Sequence, residues 1–195
     1  MTPLGLVDAV PHLFWITSRA SGIVALVLAS LSVSLGLAMS LRLLRSFGPD
    51  RLALHEALSI ATLVALAVHG LSLVGDPWLH PSLVDVSVPF AGSYETAWTS
   101  LGIIAGWALA LLGLSYRVRR WIGAARWRSL HRLTAVAWLA GLAHSLGEGS
   151  DSGQLWFLAM VGAVAIPALA LLAARLASTR DPGPPPRRPA VPLPE

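Results

Sequence analysis

The sequence predicts an all-α integral membrane protein: a bundle of about five transmembrane helices, with the amino terminus outside and the carboxyl terminus in the cytoplasm. Three observations predict it. Of 195 residues, 55% are hydrophobic and only 12% charged, with a mean hydropathy of +0.67, far more apolar than a soluble domain of this length. Five stretches approach the ~20 apolar residues that cross ~30 Å of hydrocarbon. Arginines collect in alternate connecting segments, and by the positive-inside rule those segments are cytoplasmic.

The elements follow in order. Residues 1–13 form an outer segment with no basic residue before position 13. The first apolar stretch, Phe14–Leu41, is longer than a signal-peptide core and is expected to stay as an anchor. Arg42, Arg45 and Arg51 follow it, then the second span, Leu52–Val74. Asp76–Glu95 carries Asp76, Asp85 and Glu95 and no basic residue. The third span, Thr96–Tyr116, contains Gly102 and Gly106, a Gly-x3-Gly pair of the kind that lets membrane helices pack closely. Arg117, Arg119, Arg120, Arg126 and Arg128 come next.

The fourth span, Leu130–Leu146, is the shortest. Gly147–Gly153 again lacks basic residues and carries Glu148 and Asp151, and the fifth span is Leu155–Leu176, with Arg175, Arg180, Arg187 and Arg188 at and beyond its end. Residues 14–177 thus make the membrane domain. Residues 178–195, STRDPGPPPRRPAVPLPE, read as a disordered, proline-rich cytoplasmic tail. Trp15, Trp78, Trp98, Trp121, Trp127 and Trp156 fall near span ends, where an amphipathic ring anchors among headgroups.

Composition also excludes functions. There is no cysteine, so thiolate metal sites, disulfides, cysteine-ligated iron–sulfur clusters and covalently attached c-type haem are ruled out. All 14 basic residues are arginine and the isoelectric point is near 11.0, but their place in short loops beside apolar spans marks topology, not nucleic-acid binding. No paired carboxylates, Ser–His–acid set or phosphate loop points to hydrolysis, and no catalytic residue is assigned. Glu56 is read as complementing a helix amino terminus. No Gly-x-Gly-x-x-Gly fingerprint follows a strand, and an 18-residue tail cannot house a flavin or nicotinamide domain, so electrons are expected from a separate donor.

Four histidines lie inside the spans: His55 and His69 on the second, His131 and His144 on the fourth. Ionisable groups in a bilayer are costly and mark function, and neutral imidazole is a common axial ligand of haem iron. The steps of fourteen and thirteen residues each span about 20 Å along a helix. With both helices entering from the cytoplasm, His55 faces His131 at the inner level and His69 faces His144 at the outer level. Two stacked bis-histidine sites result. An ideal helix leaves the first pair about 40° apart but the second about 140° apart, a mismatch for Gly141, a bend, or a different haem approach to absorb. His12 and His80 lie outside the spans as surface residues.

This two-helix histidine pattern resembles the ferric reductase-like transmembrane domain of NADPH oxidases, ferric-chelate reductases and bacterial relatives. WITSRASGIVALVLASLSVSLGL, VPFAGSYETAWTSLGIIAGW and WRSLHRLTAVAWLAGLAH share in it. The resemblance implies two b-type haems, the inner on His55 and His131 and the outer on His69 and His144. Arg19 falls where oxidase members place an arginine near the outer haem propionates, where its charge raises the reduction potential; as a residue by itself it also reads as an arginine snorkelling to the headgroups.

The larger family members carry a fused flavin and NADPH domain. This chain looks more like the stand-alone bacterial branch, which includes the haem-binding subunit of the periplasmic methionine sulfoxide reductase system. That likeness implies a membrane electron-transfer subunit of the bacterial inner membrane. FAD or FMN and NAD(P)H enter only through a partner, a cytoplasmic reductase, unless quinol is the donor; the Arg117–Arg128 loop faces the side of such a donor. The extracytoplasmic acceptor is a ferric chelate or a periplasmic reductase. Two other readings stay open: a quinol- or ascorbate-linked dihaem cytochrome b, and a haemless scaffold or transporter whose histidines form a proton or metal path.

Overall fold

The computed structural model describes residues 10–180, and among them every regular element is helical. The helices are α1 (Val10–Ser40), α2 (Asp50–Val74), α3 (Leu83–Ser87), α4 (Thr96–Leu114), α5 (Arg119–Ile122), α6 (Ala124–His131), α7 (Thr134–Gly147) and α8 (Leu155–Arg180). Among the described residues, four stretches are long and apolar enough to cross a bilayer: His12–Ser40, Asp50–Val74, Thr96–Ile122 and Leu155–Ser178.

The fourth expected span is divided. The Leu133 N–H bonds to the Leu130 carbonyl at 2.9 Å and the Ala135 N–H to the Arg132 carbonyl at 3.3 Å, three residues back instead of four, while the Thr134 hydroxyl donates to the His131 carbonyl at 2.7 Å. The chain therefore tightens between α6 and α7, and a 3-10 turn advances about 20° more per residue than an α-helix. That break offsets part of the thirteen-residue phase mismatch. Gly141 does not contribute a bend, since it lies within α7 in ordinary contact with Ala105.

Other boundaries shift for local reasons. Asp50 supplies the acidic first turn of α2, and Glu56 sits beyond that turn, exposed, so it does not complement the helix amino terminus as expected. Ser82 and Asp85 form a reciprocal capping box that starts α3. After α4 the chain passes through a 3-10 turn, Ser115–Val118, and turns again at Gly123, whose φ of 87° is a conformation glycine adopts without strain. Helix α8 runs through the expected tail boundary to Arg180, as α1 begins before Phe14 at Val10. The rest of the proline-rich tail, 181–195, and positions 1–9 of the outer segment lie outside the described residues.

Helix α1 packs along α2 and also against α7 and α8, while α4 packs on α7. Much of the interior is made of small residues, with Leu26, Trp138, Leu142, Phe157 and Val161 set among them. Ala25, Ala29, Ala105, Ala137, Ala165 and Ala168 are buried, and Trp138 is the largest fully buried side chain, at 1% exposure. Its indole N–H donates to the Ser30 hydroxyl at 3.0 Å, which donates to the Leu26 carbonyl at 2.7 Å. Large side chains such as Val64, Leu71, Leu111, Val136 and Ile166 point outward instead. Small residues inside and large apolar ones outside suit a bundle solvated by lipid, where close backbone approach replaces hydrophobic burial as the source of packing.

Candidate functional site

The four candidate histidines meet in two pairs. His55 and His131 have ring centroids 6.2 Å apart, and His69 and His144 have centroids 6.4 Å apart. His12 and His80 are exposed and belong to neither pair. The pairs are about 20 Å apart along α2, from its fourteen-residue step.

Helix α1 holds one ring of each pair by a repeated device. The Ser32 carbonyl lies 3.1 Å from His55 Nδ1, and the Ser18 carbonyl 2.8 Å from His69 Nδ1. Four residues after each serine comes a glycine that makes room for the ring: a Cβ on Gly36 would fall 3.2 Å from His55 Cε1, and one on Gly22 2.9 Å from His69 Nδ1. Serine and glycine both recur at fourteen residues, the step that separates His55 from His69. Two straight helices side by side can keep such a register because both rise about 1.5 Å per residue.

Helix α4 repeats the device for His144 but not for His131. The Trp98 carbonyl lies 2.9 Å from His144 Nδ1, and a Cβ on Gly102 would fall 2.6 Å from the same ring. Gly106, the second glycine of the expected packing pair, has nothing within 4 Å. Fourteen residues beyond Trp98 is Leu112, whose backbone faces His131 Nδ1, but that nitrogen meets no partner in hydrogen-bond geometry. The Leu112 carbonyl accepts instead from the Ser115 hydroxyl at 2.6 Å, and Ser115 in turn accepts from the Trp127 indole at 3.0 Å. Trp127 stacks on His131 with centroids 4.9 Å apart and an interplanar angle of 21°.

A carbonyl oxygen only accepts, so His55, His69 and His144 carry their proton on Nδ1 and present Nε2 with a free lone pair. This is how metal-ligating imidazoles are usually oriented. Two imidazoles on opposite sides of one metal, each nitrogen about 2 Å from it, have centroids about 6 Å apart, and both observed separations match. Among the described residues no three His, Asp or Glu side chains gather as a site for a bare ion. Two ligands per site would suit an iron that brings further donors of its own, as haem iron would. The residues present fit that group.

Three charged residues, Arg19, Asp151 and Glu148, stand at the level of His69 and His144. Arg19 follows Ser18 and forks onto Asp151 through Nε and Nη2, with its guanidinium also over the Trp15 ring at 5.0 Å. Asp151 is only 5% exposed. Thus Arg19 ties the start of α1 to the α7–α8 connection, and its charge is matched by a carboxylate. Glu148 accepts from the Thr99 hydroxyl at 2.7 Å and brings Oε2 to 3.0 Å from His144 Nδ1.

The sequence singles out the four rings but does not reveal what holds them. Trp98 and Trp127 carry more than interfacial anchoring: one supplies a carbonyl and the other a stacking face. Ser18 with Gly22 and Ser32 with Gly36 were detectable as a Ser-x3-Gly unit repeated at the histidine spacing. Glu148 left no pattern beyond its place four residues after His144.

A family model described as ferric reductase-like transmembrane component matches residues 21–142, which include His55, His69 and His131 and end two residues before His144. No curated protein and no solved structure matches the chain.

Proposed function

Because the chain belongs to the ferric reductase-like transmembrane family, we propose that it conducts electrons across the membrane through two b-type haems held by its paired histidines. His55 and His131 ligate the inner iron, and His69 and His144 the outer. The observation that carries this reading is the shared fourteen-residue register, in which carbonyl, glycine and imidazole recur together at both levels.

When bound, haem supplies one-electron exchange, which is the cofactor's own chemistry. The chain contributes the rest. Ser18, Ser32 and Trp98 fix the tautomer and plane of three ligands, Gly22, Gly36 and Gly102 let the rings lie against the helices, and Trp127 braces the fourth. With two imidazoles offered at each site, haem held there would exchange electrons with donor and acceptor by outer-sphere transfer.

The arginine-rich end is the cytoplasmic one in this reading, with the carboxyl terminus on the same side and the amino terminus outside. There the donor is a separate flavin reductase supplied by NAD(P)H, or quinol. Tyr116 lies edge-on to Trp127 at 5.7 Å and carries Arg119 over its ring at 4.1 Å, so aromatic contact runs from the arginine-rich surface to His131. This supports entry of electrons at that end. The acceptor, a ferric chelate or a periplasmic reductase, is met at the outer end. A contact between Arg19 and an outer propionate would be shared with Asp151.

The test is an oxidised-minus-dithionite-reduced spectrum of the purified chain. A b-type α-band is expected, and its absence from protein produced with ample haem sinks the reading.

A further inference from the structure

Among the described residues, Glu148 is the only charged side chain in contact with any of the four imidazoles. Its carboxylate is 16% exposed. Thr99 on α4 holds Oε1, and Oε2 is buried without a hydrogen-bond partner of its own, 3.0 Å from His144 Nδ1. The N–H of that nitrogen points to the Trp98 carbonyl, so the ring sits between a backbone acceptor and an anion. The other rings meet only backbone, serine hydroxyl or aromatic groups.

This asymmetry has an electrostatic consequence. An anion beside a ligating imidazole raises the ring's basicity and its donation to the metal, and a nearby negative charge stabilises the more positive state of the iron. Both effects favour the oxidised form. The one cation at this level, Arg19, is engaged by Asp151, so it does not stand as a free charge against Glu148.

We propose that Glu148 is a positioning residue for His144 that lowers the reduction potential of the outer haem relative to the inner one. The inference rests on the dihaem reading above. It makes the outer site the stronger reductant, placing driving force in the last transfer, to the acceptor, and not in the step between the haems.

Redox titration of the full chain in nanodiscs, followed at the α-band, tests it. The wild type is expected to titrate in two steps. In Glu148→Gln one midpoint moves up, the one missing from His144→Ala, and the other stays. Thr99→Val, which frees the carboxylate but keeps its charge, gives a smaller shift of the same midpoint. Glu56→Gln, an exposed carboxylate next to inner-level His55, moves neither. If Glu148→Gln does not retain the outer haem, Thr99→Val carries the test. Two haems with unmoved midpoints in the variant, a downward shift, or equal movement of both midpoints would overturn the proposal. A wild type with no α-band refutes the dihaem reading instead, so the two failures are distinguishable.

Discussion

Replacing Gly102 by alanine adds one methyl group at the tightest point of the site. The added Cβ would lie 2.6 Å from both Cε1 and Nδ1 of His144. Non-bonded carbons settle about 3.5–4.0 Å from their neighbours, so the ring or α4 must move by about 1 Å. The ring has little freedom to move, held by the Trp98 carbonyl on one side and Glu148 on another. Overpacking of this kind costs about 1–3 kcal/mol, more than the about 1 kcal/mol that alanine gains over glycine in a helix. Metal–ligand distances tolerate only about 0.2 Å.

Gly102→Ala is therefore expected to lose the outer haem and to halve the α-band per chain, without losing the inner haem. The other glycines grade the effect. Gly22→Ala, with its Cβ 2.9 Å from His69 Nδ1, should behave nearly as badly, Gly36→Ala at 3.2 Å from His55 Cε1 should lose only part of the inner haem, and Gly106→Ala, with open space, should lose none. Haem content by reduced-pyridine assay and the difference spectrum give the order directly. Full occupancy in Gly102→Ala, or equal loss in Gly106→Ala, would falsify the account of these glycines as room for the rings.

Four further outcomes are expected. His55→Ala and His131→Ala should abolish the same spectral component, and His69→Ala and His144→Ala the other; a shared loss between His55 and His144 contradicts the pairing. Trp127→Leu removes the stacked support of His131 and should lower inner-haem occupancy alone, read from the same difference spectra; uniform loss at both sites counts against it. Asp151→Ala leaves the Arg19 guanidinium unmatched. Since Arg19 is about a third exposed, the loss should be modest, about 1 kcal/mol, measured by denaturant unfolding in mixed micelles. The Ser82 hydroxyl and backbone N–H hold the Asp85 carboxyl below its usual range. Its contribution to the start of α3 is therefore full above the unfolded carboxylate pKa near about 4 and fades as pH falls through the lower folded value. Protection of the Val86 and Val88 amides, measured against the intrinsic exchange rate at each pH, should fall in acid, while Asp85→Asn should show lowered protection at neutral pH.

Sequence alone determined the solvent, four of the five spans and which histidines share a height. Apolar length is a local property, arginine placement marks one face of the membrane by simple alternation, and a fourteen-residue step on a straight helix sets height as arithmetic. Those facts need no knowledge of which helix touches which. The family match agrees with that legible part, since its residues 21–142 hold most of the spans and three of the four rings.

What only the tertiary structure decided is how the rings are held. The fourth stretch read as one span, yet the hydrogen bonds at Leu133 and Ala135 break it, because three-residue bonding depends on the hydrogen bonds the backbone makes there and not on hydropathy. Carbonyl acceptors have no residue signature, so Trp98 did not announce its role, and the Ser-x3-Gly repeat marks Ser18 without saying that its carbonyl meets a ring. Arg19 read by itself as an arginine snorkelling to the headgroups, but folding brings it to Asp151, 132 residues away in sequence. Glu148 lies four residues after His144, one helical turn onward, and only the packing of Thr99 against that turn directs its carboxylate at the ring. Spacing along one helix is written in the chain; the meeting of groups on different helices is set by how the helices pack.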